Sequence, residues 1–270
     1  ARLAALHALG DIWAMGAHPQ AALAQITLPR LSETLQERTL TEIMAVAAAV
    51  FGDAGADLVG GHTSLGDELT IGFTVTGTAE RPITKGGARP GDAILLTKPL
   101  GTGTVLAAEM AMARLPGLIL GEAVAATLDS MAQGQGRAAA MLSPVAHAMT
   151  DVTGFGLAGH LLEILEASGV AARLSLSALP FLPGAVRLSA AGHGSSLAPA
   201  NHAACDWRVD APPGPETELL FDPQTCGGLL AAVPAAMADG LLAALRAAGA
   251  PAACRIGTIT EGAPFLTVAD

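Results

Sequence analysis

From residue 69 to 76 the chain alternates strictly: Leu69, Ile71, Phe73 and Val75 are apolar, and Thr70, Gly72, Thr74 and Thr76 between them are small and mostly hydroxylated. A period of two predicts a strand over 69–75 with one apolar face and one threonine-glycine face. The second face suits packing against another sheet or a symmetry mate, or plain exposure. Ahead of it, Leu6, Leu9 and Trp13 recur at helical spacing, and Gly16 ends that helix before His18-Pro19. Residues 21–28 read as a strand closed by Pro29. Residues 32–51 read as a helix that Ser32 or Thr34 can cap, with Leu40, Ile43, Met44, Ala47, Val50 and Phe51 as its buried stripe. Residues 56–59 predict a further strand that ends at Gly60-Gly61-His62-Thr63.

Charge and turn residues cluster over 80–92, in Arg81-Pro82, Lys85-Gly86-Gly87 and Arg89-Pro90-Gly91-Asp92, and a strong apolar strand follows at 93–97. This places a domain boundary there, with domains at 1–88 and 89–270. The second half predicts a loop at 98–103, a helix from about Thr104, and helices at 122–131 and 137–141. A short apolar run at 145–149 comes next, and then a helix whose stripe is Leu157, Leu161, Ile164 and Leu165. Residues 172–176 read as a strand, 180–183 as a turn and 192–215 as a long loop. A turn at 222–228 feeds a strand at 229–233, and a helix at 235–248 and strands at 254–259 and 264–268 complete the pattern. Alternating strands and helices give an α/β (α+β) protein with mixed sheets flanked by helices.

Composition narrows the function. A formal net charge of −10 without a Lys/Arg-rich face argues against nucleic acid as a partner. Half the residues are hydrophobic, but the apolar runs break within a few residues, far short of the roughly 20 that a membrane span needs. With six Phe, two Trp and no Tyr, the core must be built from Ala, Leu, Val and Ile. Three cysteines without CxxC spacing indicate neither a disulfide framework nor a zinc site and fit a reducing cytoplasm. The chain opens directly into a helical pattern with no initiator Met, so a fragment cut inside or just before a helix is expected.

The candidate chemistry lies at four places. Asp11 falls in the C-terminal half of the first helix, where the dipole disfavours a carboxylate; it either has a metal or a base as partner or is simply exposed. The pair Gly60-Gly61 suits close backbone approach to a ligand, and His62 can donate to a phosphate or merely end the strand. The stretch 151–160, Asp-Val-Thr-Gly-Phe-Gly-Leu-Ala-Gly-His, forms a glycine-rich strand-to-helix junction. There free helix-start N–H groups could meet a phosphate, and a divalent cation would reconcile it with Asp151; otherwise Asp151 is an N-cap. The fourth place is the turn Asp222-Pro-Gln-Thr-Cys-Gly-Gly228. Gly101 and Gly103 do not make a dinucleotide loop, because the third glycine position is Leu106, and no GxxxxGK[ST] sequence is present.

Taken in order, Asp11-Ile-Trp-Ala-Met-Gly-Ala-His-Pro19, Gly60-Gly61-His62-Thr63, Asp151 to His160 and Asp222 to Gly228 resemble selenophosphate synthetase, also called selenide, water dikinase. That family belongs to the ATP-binding superfamily of aminoimidazole ribonucleotide synthetase, thiamine-monophosphate kinase and the hydrogenase maturation carbamoyl-dehydrating enzyme. The resemblance implies a two-domain subunit with an incomplete N-terminal domain. It also implies a homodimer built through a barrel of N-terminal strands, to which 69–75 would contribute. It further implies Mg²⁺ and ATP, with Asp11 and Asp151 as metal positions and Asp11, Gly60, Gly61 and His62 at the nucleotide. Selenide, ATP and water would give selenophosphate, AMP and orthophosphate.

The family's catalytic Cys or selenocysteine and its Lys, with a further metal-binding Asp, are expected upstream of residue 1, and some members carry a flavoprotein module there. Cys226 stands where the family usually has Ser and is read as a packed residue. His7 stands where the family has Asn. The alternatives are another superfamily member, such as thiamine-monophosphate kinase, and a non-catalytic dimerisation or regulatory domain.

Overall fold

The computed structural model describes residues 1–270 and divides them into two compact units, Ala1–Pro82 and Ile83–Asp270. In the first, α1 (Arg2–Ala14) precedes β1 (His18–Pro29), α2 (Glu33–Asp53), β2 (Asp57–Gly66) and β3 (Thr70–Thr78). The sheet order is β2-β1-β3. The α2 crossover makes β1 and β2 parallel, whereas β3 turns straight back from β2 and lies antiparallel to β1. On β1, Ala22, Ala24, Ile26 and Leu28 are buried, and Ile43 of α2 packs on them with Leu40, Met44, Ile71 and Phe73 partly buried around it. Phe73 meets Phe51 edge to face, with centroids 5.1 Å apart. The apolar face of β3 therefore looks into this unit's own core. Its threonine face, shared with Leu23, Gln25 and His62 through the cross-strand register, is open.

The expectation that β2 ends at its glycine pair is overturned. Gly60, Gly61 and His62 lie inside the strand, opposite Leu23, Ala24 and Gln25, just past a bulge that leaves Val59 without a partner. A Cβ on Gly61 would run into the Ala24 carbonyl at a φ of +154°. One clear reason for glycine at Gly61 is thus close approach of β2 to β1 itself. At Gly60 a Cβ would find only ordinary contact with Leu23, at 3.7 Å.

In the second unit, β4 (Ala93–Leu96) and α3 (Thr102–Met110) are followed by α4 (Leu120–Met131), α5 (Gly136–Leu142), β5 (Ala148–Asp151), α6 (Gly156–Ser168) and β6 (Ala171–Ser175). After α7 (Ala185–Ala190) and α8 (Ala198–Cys205) come β7 (Val209–Asp210), α9 (Pro215–Glu218), β8 (Leu229–Val233), α10 (Ala235–Ala247), β9 (Cys254–Thr260) and β10 (Leu266–Ala269). One mixed sheet runs β5-β8-β4-β9-β6-β10-β7, antiparallel except where β10 joins β6 and β7. Every residue of β4, β5 and β8 is buried, which explains why β4 and β8 read as continuous apolar runs rather than alternating ones. Residues 83–88 lie with this unit: Met149 N–H donates to the Thr84 carbonyl, and Ser168 Oγ accepts from the N–H groups of Gly87 and Ala88.

Within 192–215, expected to be loop, stand α8 and the short β7. Only two α8 residues, Asn201 and Cys205, are buried, which leaves too little pattern to detect. No helix of the protein is long and apolar enough to cross a membrane.

Candidate active site

Three segments of the second unit converge: the loop after β4 (Lys98 to Gly103), the junction between β5 and α6, and the turn Asp222 to Gly228 that enters β8. The pairing of β5, β8 and β4 dictates this, because Asp151 lies opposite Leu229 and Leu96 opposite Leu230. The last two glycines of the turn fill the places where backbones cross. A Cβ on Gly227 would collide with the Val152 carbonyl, and one on Gly228 would sit 2.6 Å from the Lys98 nitrogen. Val152 N–H donates to the Gly228 carbonyl at 2.9 Å, and Gln224 N–H to the Thr153 carbonyl at 2.9 Å. Two motifs that are 71 positions apart at their first residues are thus one hydrogen-bonded unit.

The turn also caps a helix it does not belong to. The cap position of helix α3 is Gly101, with φ +116°, which has no side chain to satisfy the first amides. Gln224 Oε1 accepts from Gly101 N–H (3.0 Å), Thr102 N–H (3.1 Å) and the Thr102 hydroxyl (3.2 Å). The Asp222 carboxylate accepts from the Thr104 hydroxyl at 2.9 Å and from the backbone amides of Gly103 and Thr104. Gln224 Nε2 donates to Asp222 Oδ2 at 3.0 Å and so fixes the two acceptors together. This glycine loop is therefore filled by a carboxylate of the protein itself, consistent with setting aside a dinucleotide reading. Burial pushes the Asp222 pKa up, against the opposing pull of those hydrogen bonds.

Lys98 is the one buried Lys or Arg of the unit, 4% exposed, and its Nζ donates to the Cys226 carbonyl at 2.8 Å. Burial lowers its pKa to about 8, opposed by its interaction with Cys226. Cys226 itself has φ +51°, a left-handed conformation that the Lys98 ammonium braces through the carbonyl. Its thiol is pushed up to about 11 by burial, against the lowering effect of Lys98. Burial likewise raises the Cys254 thiol to about 11 and the Cys205 thiol above its ordinary value. None of the three cysteines is in a disulfide, and burial keeps each thiol neutral at physiological pH, so none is a poised nucleophile.

At the β5–α6 junction both sequence readings of the helix start change. Asp151 is the last residue of β5, 9% exposed, and is no N-cap, because α6 begins at Gly156 with Phe155 at the cap position. The helix start is not an open phosphate cradle either. Gly156 N–H donates to the Thr153 carbonyl and Ala158 N–H to the Leu220 carbonyl, and residues Gly156 to His160 are buried. A Cβ on Gly156, with φ +70°, would lie 2.6 Å from the Leu220 carbonyl, so this glycine serves packing. Asn201 of α8 holds the junction from outside, with Nδ2 donating to the Gly154 carbonyl (2.8 Å) and the Phe221 carbonyl (3.0 Å).

In the first unit, Asp11 is exposed on α1, on the same side as exposed His7 one turn earlier. His62 is exposed on the open sheet face, with Gln25 and Gly72 as cross-strand neighbours. The fold of this unit thus holds Gly60, Gly61 and His62 side by side on β2 and carries Asp11 on a different element, while Asp151 belongs to the second unit. Nowhere do three or more His, Cys, Asp or Glu side chains gather as a metal-binding group.

Two family models match the chain: AIR synthase related protein, N-terminal domain, over residues 1–79, and the corresponding C-terminal domain over 89–268. A selenide, water dikinase of Nitratidesulfovibrio vulgaris is 40% identical over 257 residues, 93% of this chain and 72% of that protein. The chain belongs to the selenide, water dikinase family. Its relative of the same name from Burkholderia pseudomallei is 38% identical and is matched over 99% of this chain and 75% of its own length. Among solved structures, hydrogenase maturation protein HypE in complex with ATP superposes with a TM-score of 0.74 at 21% identity, covering 99% of this chain and 75% of that one. Thiamine-monophosphate kinase from Stenotrophomonas maltophilia K279a gives 0.74 at 22%, covering 99% and 78%. These two likenesses establish the shared fold, as expected for the aminoimidazole ribonucleotide synthetase-like superfamily.

Within this dikinase-family chain, several functional-looking contacts had no clear sequence signal. The cap formed by Asp222 and Gln224 joins positions more than a hundred residues apart; its one trace is a helix that opens on Gly101 without a capping side chain. Lys98–Cys226 left no periodic trace at all.

Proposed function

We infer that this chain carries out ATP-dependent synthesis of selenophosphate from selenide and water, with AMP and orthophosphate as the other products. The observation that carries this is identity of 37–43% to proteins named selenide, water dikinase over 86–99% of the chain. The interlocked 151–160 and 222–228 motifs support it. Asp11 and Asp151 are the proposed Mg²⁺ ligands, and Asp11, Gly60, Gly61 and His62 the proposed nucleotide contacts. Carboxylates are the oxygen donors Mg²⁺ takes, and the ion is commonly held by one or two of them plus substrate phosphates. When bound, the ion supplies neutralisation of polyphosphate charge. What the chain itself contributes is placement: the turn at 222–228 and the strand pairing fix the backbone that carries Asp151. No cysteine of this chain is assigned to selenium. The open threonine face of the first unit's sheet is the proposed contact for a second copy, and three cysteines outside any disulfide favour a cytoplasmic setting.

Product analysis of the full-length protein tests the reaction. With selenide and ATP, phosphorus NMR should show selenophosphate, AMP and orthophosphate; ADP as the nucleotide product would sink the reading in favour of a thiamine-phosphate-type kinase. Replacing Asp151 by Asn should weaken Mg-ATP binding in calorimetry by about tenfold or more, as expected for losing a charged group's contact. Unchanged affinity would remove Asp151 from the metal site.

A further inference from the structure

A buried amide with an unspent donor stands at the sheet end that carries Asp151. Gln135 occupies the cap position of α5 but does not cap that helix; its side chain turns to the end of β4 instead. There Thr97 Oγ1 accepts from Leu229 N–H at 2.7 Å and spends its one hydrogen on Gln135 Oε1 at 2.5 Å. That distance is usual for O–H···O and too short for N–H···O, so the oxygen of the amide faces Thr97 and the amino group faces away. Gln135 is 7% exposed, yet its Nε2 meets no acceptor of the protein and is not sealed from solvent.

The strands fix where this amide lies. Asp151 of β5 is opposite Leu229 of β8, and on the other side of β8 Thr97 N–H donates to the Leu229 carbonyl at 3.1 Å. Asp151, Leu229 and Thr97 thus form one row across three strands, at the C-terminal ends of β5 and β4, and members of a row share a face of the sheet. In the next row Leu230 and Leu96 pack with Leu157 and Leu161 in the core under α6. The Asp151 row therefore looks the other way, to the side on which α5 and α10 pack, and Gln135 at the start of α5 closes the row at Thr97. About two strand spacings, roughly 10 Å, separate Thr97 from Asp151 along it.

An amino group cannot ligate a cation; it needs an acceptor. The acceptor that arrives with a carboxylate-held Mg²⁺ is an oxygen of the substrate phosphates. We propose that Gln135 is a ligand-binding residue whose Nε2 donates to a phosphate oxygen of the substrate held with the cation at Asp151. The proposal rests on the reading of Asp151 as a metal ligand.

Calorimetry and NMR on the full-length protein test it, with Mg²⁺ and a non-hydrolysable ATP analogue as the probe. Gln135→Glu keeps an oxygen for the Thr97 hydroxyl and puts a second carboxylate oxygen where the amino group stood. It should weaken binding of the probe by about tenfold or more, because a donor becomes a like charge. Gln135→Met, which loses the donor without adding charge, should weaken it several-fold. In parent protein labelled with nitrogen-15 at glutamine, the probe should displace the Gln135 side-chain amide resonances. A Gln135 that merely anchors β4 would instead show a lower melting temperature in Gln135→Met, with probe affinity unchanged and the amide resonances unmoved. That pattern overturns the proposal, as does Gln135→Glu with parental affinity. Should Gln135→Met not fold, the amide resonances of the parent still decide. Failure of the functional reading shows separately, as absence of selenophosphate or as probe affinity insensitive to Asp151→Asn; sensitivity to Asp151→Asn with none to either Gln135 variant overturns this proposal alone.

Discussion

Replacing Asp222 by Ala should destabilise the protein by about 3–4 kcal/mol, with a drop in melting temperature of roughly 10 °C for a chain of this size. The carboxylate is 1% exposed and serves four donors: the amides of Gly103 and Thr104, the Thr104 hydroxyl and the Gln224 amide. Truncation leaves all four facing a space closed to solvent, and each buried donor without a partner costs about 1–3 kcal/mol. Two effects hold the total below the simple sum. The desolvation of a buried carboxylate disappears with it, and Gln224 can shift toward the vacated position.

Asp222→Asn should cost about half as much, because its carbonyl oxygen can still accept from the backbone while its amide confronts the Gln224 amide. The Asp222 pKa is raised by burial, so its stabilising contribution is greatest below the ordinary carboxylate value and is lost as pH rises through the folded value. Asp222→Asn carries no such titration, so the stability gap between it and the unaltered protein should widen on acidification. Urea melts at neutral pH and near pH 4.5 measure both effects. If Asp222→Ala melts within a degree or two of the parent, the trans-capping account is wrong.

That cap shows what could be read from the residues and what could not. Elements with a strong period were visible: the alternation through Phe73 gives β3, and Leu157, Leu161, Ile164 and Leu165 are all buried on α6. Glycines were visible as places of close approach, but not what approaches them. A Cβ on Gly61 would meet the backbone of β1, one on Gly103 would sit 2.7 Å from the Asp222 carboxylate, and one on Gly227 would meet the Val152 carbonyl. Each neighbour belongs to the protein, where sequence reading proposed a ligand for Gly60-Gly61 and for the 151–160 junction. The reason is physical: a missing Cβ records that something is near and carries no information about its chemistry. The polar contacts were hidden for a related reason. Lys98 and Cys226, or Thr104 and Asp222, are brought together by the order of β5, β8 and β4 in the sheet, which local periodicity does not encode. The family resemblance named 151–160 and 222–228 among its four motifs, but that the two touch comes from the order of the sheet.

Lys98 supplies the second large effect. An ammonium whose folded pKa is about 8, against 10.5 for the free side chain, binds its proton less tightly when folded than when unfolded. Between those two values the unfolded chain holds more protons, so stability rises with pH, by up to roughly 3 kcal/mol for a shift of this size. Below about 8 the cost of the buried charge is fully present; above 10.5 it is gone. Two thiols work in the opposite sense. Cys226 and Cys254, each raised from 9.0 to about 11, lose their contribution as pH climbs through that interval. The parent protein should therefore gain stability from about pH 8 to 9 and level off or fall beyond it.

Lys98→Met removes the rising limb and keeps the fall. At neutral pH the variant sheds a buried charge but leaves the Cys226 carbonyl without its donor, two terms of similar size and opposite sign. The informative quantity is consequently the difference between the two proteins as a function of pH. It should move in favour of the parent by about 2–3 kcal/mol between pH 7.5 and 10 in urea melts at constant ionic strength. Removing the ammonium also removes the influence that lowers the Cys226 thiol, so that thiol should stay neutral to still higher pH in the variant, and its loss, which still begins near 9, should extend further upward. Parallel stability curves for parent and variant across this range would mean that Lys98 is solvated and ordinary. They would also remove the reason for the braced left-handed turn at Cys226.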